Sequence, residues 1–436
     1  MGFTGTLQDY KFYRLAREIK WTLKKYLSSS PVEKTVTLTP SGPSKGDALL
    51  CRVNDAFLLK PGQPFPTTHQ TFWEAYQQAM VFLDLGYTVD VIHFLNREFV
   101  PQKDYALFCD AGWNMERIAP LLGKGCVKIA HLTTAHPLFN NAAELKRLIA
   151  LQERRGVSLR ARRQVWQPLL SAIDHADCAT VLGHEFTLNT YRYAGKPLYP
   201  VPAASPVLYP WNGTKDFEAS RRRFVWFGGG GMVHKGLDLV LEAFASMPEC
   251  QLTVCGPVEK ETDFVAAYHR ELYETENIKL VGWVDFSTPQ FLEIATNCIG
   301  LLHPSCSEGC STAVVICMHA GLIPIISYES SVDVSPDCGI ILRKSSIEEI
   351  RDSVRSIAGL PASRLREMSR HTWERARAEH APEQFVEEYK RVVSQVMTGR
   401  TNSSPARETH VKKEIMPNGL DMDRPVARGN HRITEK

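Results

Sequence analysis

Residues 224–244 read FVWFGGGGMVHKGLDLVLEAF, and this stretch carries the clearest structural signal in the 436-residue chain. The apolar run 223–227 predicts a buried strand, four glycines follow it, and 237–245 predicts a helix. A glycine loop lets the backbone approach a ligand closely, and the free N–H groups of a helix start suit a phosphate. Lys235 adds a positive charge beside that site. The alternative is a tight turn with a solvated lysine, and the spacing does not match the GxxxxGK[ST] loop of nucleoside triphosphatases.

Strand-like and helix-like segments alternate on both sides of this unit. The predicted strands before it span 48–59, 87–94, 105–109, 127–131 and 178–182, and the predicted helices span 70–85 and 162–176. The predicted strands after it span 251–255, 278–281, 298–303 and 323–327. This alternation predicts an α/β protein with two Rossmann-like doubly wound domains that face a central cleft, where a ligand binds at the carboxyl ends of the strands.

The two ends of the chain differ in composition from the middle. Apolar residues recur at helical spacing in 7–27 among lysines and arginines, which predicts a helix that lies on an anionic membrane surface or packs on the protein itself. Residues from 399 onward are polar, charged and free of aromatic residues, which predicts disorder. We attribute the Asp421 and Asp423 pair in this tail to chance rather than to a metal site.

The overall composition excludes several classes of protein. A net charge of +3 is too small to indicate a nucleic-acid-binding protein. The sequence has no apolar run long enough to span a membrane and no apolar core of a signal peptide near its N-terminus. The 11 cysteines are scattered, several of them in apolar strands, which predicts reduced, buried thiols. We therefore expect a soluble cytoplasmic protein.

A second motif, HPSCSEGCST, spans 303–312 between a predicted strand and a predicted helix. Glu308 is expected to point into the cleft and accept hydrogen bonds from sugar hydroxyls, and the amides near Cys310 to face a diphosphate. The alternative is a carboxylate that only stabilises the helix start. A zinc site built from Cys306, Cys310, Cys317 and His319 is disfavoured because their spacing contains no CxxC pair.

A third motif, IAHLTTAHP, spans 129–137 at the end of a predicted strand. It offers His131 and His136 as candidates that face the cleft. Buried histidines are more often structural than functional, so the sequence leaves both interpretations open.

Together these motifs resemble the family-4-like retaining glycosyltransferases of the GT-B fold. The best-matched stretch runs from Phe224 to Ala358 and holds the motifs in the order FVWFGGGGMVHKG, LTVCGP, IKLVGWVD and HPSCSEGCST. The resemblance of residues 48–205 rests on topology, on His136 and on the ADCATVLGHEFT segment at 176–187.

The resemblance implies a role for each domain and for particular residues. The sequence divides into an amphipathic segment and loop (1–44), a first Rossmann-like domain (45–205), a linker (206–222), a second Rossmann-like domain (223–380), a C-terminal helix (381–398) and the tail (399–436). The resemblance implies that the first domain binds the acceptor, that the second binds the nucleotide sugar, and that the C-terminal helix crosses back. By the same resemblance, Lys235 is expected to clamp the donor diphosphate, Glu308 to contact the donor sugar, and His136 to lie near that sugar. The expected donor-binding backbone comprises Gly229, Gly230, Gly231, Trp283, Val284, Gly309, Cys310, Ser311 and Thr312.

Two positions depart from the family pattern. Ile316 stands where the family has a second glutamate that grips the nucleotide ribose, and Gly230 stands where it has an arginine. The donor grip is therefore unusual, either compensated by neighbouring groups or lost.

The resemblance implies a hexosyltransferase that moves a sugar from a nucleotide-sugar donor to a hydroxyl acceptor, with retention and without a metal or other cofactor. A polysaccharide or lipid-linked glycan is the expected acceptor, with peripheral membrane contact through 7–27. The alternatives are a catalytically inactive nucleotide-sugar-binding or scaffold protein of the same fold and a nucleotide-sugar 2-epimerase. A nicotinamide dehydrogenase is disfavoured because no GxGxxG with a downstream acidic partner follows the first strand.

Overall fold

The structure is a computed structural model that describes residues 31–60, 63, 70–165 and 169–399. The predicted amphipathic segment at 7–27 and the tail that holds Asp421 and Asp423 lie outside the described residues. All 11 cysteines lie inside them, each is buried, and none forms a disulfide. Within the described ranges, no helix is both long and apolar enough to cross a membrane.

The N-terminal half forms a seven-stranded sheet. Its strands are β1 (Val36–Leu38), β2 (Asp47–Arg52), β3 (Thr88–His93), β4 (Tyr105–Asp110), β5 (Val127–Leu132), β6 (Cys178–Leu182) and β7 (Leu198–Val201). They lie in the order β1-β3-β2-β4-β5-β6-β7, and all neighbours are parallel except β1 and β3. Strands β2 to β6 are buried along almost their whole length, as in parallel sheets covered on both faces.

The C-terminal half forms a six-stranded parallel sheet. Its strands are β8 (Arg223–Phe227), β9 (Gln251–Cys255), β10 (Ile278–Gly282), β11 (Gly300–His303), β12 (Ile323–Ser327) and β13 (Ile340–Leu342). Their order, β10-β9-β8-β11-β12-β13, is that of a dinucleotide-binding Rossmann sheet. The winding direction reverses between β8 and β11, and ligands bind at such a reversal.

Helices cover both faces of each sheet. They are α1 (Gln70–Asp84), α2 (Met115–Ile118), α3 (Pro137–Arg155), α4 (Glu185–Tyr191), α5 (Phe217–Ser220), α6 (Leu237–Ala245), α7 (Thr262–Ala267), α8 (His269–Tyr273), α9 (Pro289–Asn297), α10 (Thr312–His319), α11 (Ile347–Gly359), α12 (Ala362–Glu379) and α13 (Pro382–Gly399). The last helix, α13, returns to the first sheet, where Tyr389 packs against Phe82 and His131.

The expected fold class, two Rossmann-like doubly wound units, is confirmed, but two predicted elements are wrong. The predicted strand 48–59 ends at Arg52, and Asp55–Phe57 forms a 3-10 turn. The predicted helix 162–176 is absent from the described part of that range, which holds an irregular segment and a 3-10 helix at Leu169–His175. The long helix of this region is α3. Its buried residues are Asn140, Asn141 and Glu144 together with Pro137 and Leu151, so apolar residues alone do not mark its buried face.

Candidate active site

The loops after β8 and β11 meet at the reversal of the second sheet, so the two strongest sequence motifs lie side by side. Gly236 shows how closely they pack. Its φ is +72°, and a Cβ there would lie 2.4 Å from the carbonyl oxygen of Pro304. A side chain at position 236 would therefore both strain the backbone and push the loops apart. The fold thus brings Lys235 and Glu308 within reach of each other.

Lys235 and Glu308 form a buried ion pair. The Nζ of Lys235 lies 2.5 Å from Oε1 of Glu308, and the two side chains are 10% and 11% exposed. Ser305 donates a second hydrogen bond to the same oxygen at 2.8 Å. Burial acts to raise the pKa of Glu308, but the charge of Lys235 and the contact with His303 outweigh it and hold that pKa well below its usual range. Glu308 is therefore a carboxylate at neutral pH.

Two histidines support this pair without carrying charge. His303 contacts Ser311 through Nε2 at 3.0 Å, and the Nε2 of His234 contacts the carbonyl oxygen of Ser307 at 2.6 Å. Burial lowers the pKa of both, that of His234 to about 4. At neutral pH both rings are neutral and orient the loop that carries Glu308.

A cavity of about 110 Å³ opens at the carboxyl ends of β8 and β9, next to the ion pair. Its walls are the apolar side chains of Phe227, Cys255, Val284, Phe286 and Ile316, the glycines Gly228, Gly229 and Gly256, and Gln70, Trp283, Thr312 and Ala313. A Cβ on Gly228 would lie 3.2 Å from Cδ of Lys235, so the lysine stem passes directly behind the cavity wall. An apolar slot beside a cation suits the base and ribose of a nucleotide with its phosphates near the charge.

The start of α10 faces this cavity. The N-cap residue, Ser311, makes no side-chain cap, because its hydroxyl contacts His303 instead. Thr312 and Ala313, the first residues of the helix, line the cavity. An uncapped helix start directs backbone N–H groups and a positive dipole end at whatever occupies the slot, which suits a phosphate.

The glycine loop binds a carboxylate of the protein itself. The amides of Gly231 and Met232 donate to the two carboxylate oxygens of Glu261, at 2.6 and 3.2 Å. Glu261 is 7% exposed, and Arg162 lies 3.7 Å from it. Gly230 lies beside this group and does not line the cavity, whereas Gly229 does. Part of the predicted phosphate-binding backbone is therefore occupied by an internal anion.

Gly309 faces the first domain rather than the cavity, and the buried Cys310 does not line the cavity either. The carbonyl oxygen of Gly309 accepts a hydrogen bond from Thr187 at 2.6 Å, and a Cβ on Gly309 would lie 2.2 Å from the carbonyl oxygen of Thr133. The amide of Ala135 donates to the carbonyl oxygen of Glu308 at 3.2 Å. The Glu308 loop is thus clamped against the end of β5, and the cleft is closed at this point.

The two candidate histidines of the first domain are engaged there. His136 caps α3, accepting from the amide of Leu138 at 3.2 Å, and its Nε2 lies 3.2 Å from the hydroxyl of Tyr193. Its role beside a donor sugar stays a prediction. His131 is fully buried and contacts Glu74 and Thr180, so the structure places it in the core of the first domain.

Sequence reasoning missed the arginines that join the domains. Arg147 donates two hydrogen bonds to the carbonyl oxygen of Pro304 at 3.1 Å, and Arg154 pairs with the fully buried Asp238 at 2.8 Å. Arg155 pairs with Glu271 at 2.7 Å. The available signals were the proline at 137 and the glycine at 156, which begin and cap α3.

Two Rossmann-like domains that close on a cleft, with a slot at the reversal of the second sheet, are the features of the GT-B fold of glycosyltransferases, and this chain has that fold. By sequence it matches no protein-family model and no curated protein. Among solved structures it is similar to sucrose-phosphate synthase from Thermosynechococcus elongatus, with 13% identity, 81% of this chain and 99% of that chain covered, and a TM-score of 0.59.

Two further solved structures align as fully. HepE from Anabaena, in complex with UDP and glucose, shares 11% identity over 81% of this chain and 99% of its own, with a TM-score of 0.51. WaaG, a glycosyltransferase involved in lipopolysaccharide biosynthesis, shares 14% identity over 81% and 100%, with a TM-score of 0.50. The chain spans about half of S. aureus TarM, 55% of that chain, at a TM-score of 0.48. At these identities the likeness establishes the fold.

Proposed function

We propose that this protein is a glycosyltransferase that moves a hexosyl group from a nucleotide-sugar donor to a hydroxyl of a glycan or lipid-linked acceptor. One observation carries the proposal. An apolar slot, an uncapped helix start and the buried pair of Lys235 and Glu308 adjoin one another at the reversal of the second sheet. These are the groups that a nucleoside, a diphosphate and a sugar require, in that order along the molecule.

The donor nucleoside lies in the slot with its diphosphate at the start of α10. Phe227, Val284 and Phe286 supply the apolar walls. Trp283, 58% exposed at the rim, is available to stack on the base. Because HepE is described with UDP and with UDP-glucose, UDP-sugars are the first donors to test.

Lys235 and the amides of α10 stabilise the charge that develops on the leaving diphosphate, so no metal is required for that step. The polar contacts of the Glu308 carboxylate with the described residues are all made by Oε1, which leaves Oε2 for a hydroxyl of the donor sugar. When the diphosphate arrives, Lys235 shares its charge between the phosphate and Glu308.

Retention follows from attack on the face from which the diphosphate leaves. The acceptor oxygen bonds to the anomeric carbon, the bond from that carbon to the phosphate oxygen breaks, and the hydroxyl proton passes to the departing phosphate. Glu308 is already engaged by Lys235, and the described residues that line the slot include no carboxylate that could serve in a two-carboxylate mechanism. The acceptor enters from the side of the first domain.

The setting we propose is cytoplasmic. Eleven buried cysteines that form no disulfide fit a reducing compartment. The basic pattern of 7–27 fits peripheral contact with an anionic membrane that carries a lipid-linked acceptor.

A second candidate is a nucleotide-sugar-binding protein that does not turn over its ligand. The carboxylate of Glu261 on the amides of Gly231 and Met232 favours it, because that carboxylate competes with a phosphate. Ile316 favours it as well, since a hydrocarbon side chain makes no hydrogen bond to a ribose hydroxyl.

The test is a screen of UDP-, GDP- and ADP-sugars for slow hydrolysis in the presence of EDTA. Glu308→Gln is the site variant, and Glu259→Gln, at an exposed position of the same domain, is its matched control. Hydrolysis of one donor that survives in the control and is lost in Glu308→Gln supports the transferase. Stabilisation by a donor without hydrolysis, also with candidate acceptors added, supports the binding protein. An isomerised donor identifies an epimerase, and no binding of any donor refutes all three.

A further inference from the structure

One polar side chain in the donor slot comes from the other domain. Gln70 is the first residue of α1 in the N-terminal domain, and it lines the slot that residues of the C-terminal domain otherwise form. It is 5% exposed, and among the described residues neither Oε1 nor Nε2 has a hydrogen-bond partner. A buried, unsatisfied amide costs free energy, and such groups in native proteins commonly mark a place where a ligand binds.

Apart from Thr312 at the helix start and Trp283 at the rim, the side chains that the C-terminal domain contributes to the slot wall are apolar. The middle of α10 presents Ile316 to the slot, and this residue is 4% exposed. The remaining side-chain walls are Phe227, Cys255, Val284, Phe286 and the exposed Trp283, together with Thr312 and Ala313 at the helix start. The amide of Gln70 both donates and accepts, so it matches the two roles of a ribose hydroxyl.

On the basis of the proposed function, we propose that Gln70 binds the ribose of the donor nucleotide from across the cleft and makes the hydrogen bond that Ile316 cannot make. The nucleotide then bridges the two domains, and its ribose is recognised only when they are closed as they are in this structure. Gln70 is thus a specificity-determining residue, because it makes tight binding depend on a hydroxyl group of the nucleotide's sugar.

The chain offers a matched control on the same helix. Gln78 is also fully buried with both amide atoms unpartnered, but it does not line the slot. Any general effect of losing a buried amide from α1 appears in Gln78→Ala as well as in Gln70→Ala. Only an effect on a bound ribose is confined to position 70.

The experiment measures the Kd of the full-length protein for UDP, GDP and ADP by calorimetry, and then for the 2′-deoxy and 3′-deoxy forms of the tightest binder. We expect Gln70→Ala to weaken the ribonucleotide by about tenfold and Gln78→Ala to leave it unchanged. In the wild type one deoxy form binds about tenfold more weakly, and in Gln70→Ala that difference disappears.

A second variant tests the exchange of roles. Adding Ile316→Glu to Gln70→Ala places an acceptor on the wall of the slot itself and restores most of the lost affinity. The inference is overturned if Gln70→Ala binds like the wild type, if Gln78→Ala loses as much, or if the ribose discrimination persists. A wild type that binds none of the three nucleotides refutes the proposed function and this inference with it, whereas the other failures refute this inference alone.

Discussion

Replacing Lys235 by methionine tests the central contact of the site. The substitution keeps the length of the stem and removes the ammonium group from a pair with a separation of 2.5 Å and side chains 10% and 11% exposed. Removing one member of such a buried pair leaves the other charge uncompensated, at a cost of about 3 kcal/mol. For a domain of this size that corresponds to a fall in Tm of about 6–12 °C.

The loss of stability in Lys235→Met is expected to depend on pH in a characteristic direction. In the wild type the pKa of Glu308 is lowered, so its contribution to stability is present above its unfolded value of about 4.3 and is lost only as pH falls through the folded value. In Lys235→Met the opposing effect of burial is unmasked and raises that pKa. The difference in Tm between the two proteins is therefore largest at neutral pH and shrinks as pH falls towards 4.

The assay is thermal unfolding from pH 7 to pH 4, with Arg355→Met as the control, because its pair with Glu249 is solvent-exposed and contributes little. Glu308→Gln and the double variant complete a cycle, in which the double variant is more stable than Lys235→Met. An unchanged Tm in Lys235→Met, or a loss that does not vary with pH, would refute the buried pair.

Three further results are expected. Glu261→Ala leaves the amides of the glycine loop unpaired and lowers the unfolding free energy, measured by urea denaturation, by about 1–3 kcal/mol. Inorganic phosphate restores part of this free energy because it occupies the same amides. Gly309→Ala drives a Cβ into the backbone of the first domain and opens the cleft, which small-angle scattering detects as a larger radius of gyration, whereas Gly123→Ala, with open space around it, changes nothing. Arg154→Ala removes the ion-pair partner of Asp238, whose pKa is raised by burial. The destabilisation is greatest at neutral pH and becomes smaller as pH falls towards the pKa of Asp238. Equal losses of unfolding free energy at pH 5 and pH 8 would contradict the pairing.

Most of the fold could be predicted from local sequence because each strand–turn–helix unit of a Rossmann-like domain has the same short-range pattern. An apolar strand, a small-residue turn and an amphipathic helix each leave a signal within about 20 residues, as in Arg223–Phe227 followed by Leu237–Ala245. The signal failed at α3, whose buried face holds Asn140, Asn141 and Glu144. These side chains bond the backbone of the following loop, whereas Leu138, Leu145 and Ile149 are exposed, so the apolar residues of this helix do not mark its buried face.

The candidate site was readable only in part. The sequence placed Lys235 and Glu308 at strand ends, and the parallel sheet necessarily brings adjacent strand ends to one edge. It gave no indication that the two would pair with each other. Nor did it indicate that Glu261, some 30 residues further along the chain, would fill the amides of the glycine loop.

The sequence by itself determined the elements, their alternation and the positions of the two loops, because these follow from short-range periodicity and turn chemistry. The tertiary structure alone decided which groups meet across the cleft: Gly309 against Thr133, Arg154 with Asp238, and Gln70 inside a slot of the other domain. Arg154 and Asp238 are 84 positions apart, and Gly309 and Thr133 are 176 positions apart. Their formation depends on how two closed domains pack, which no local pattern records.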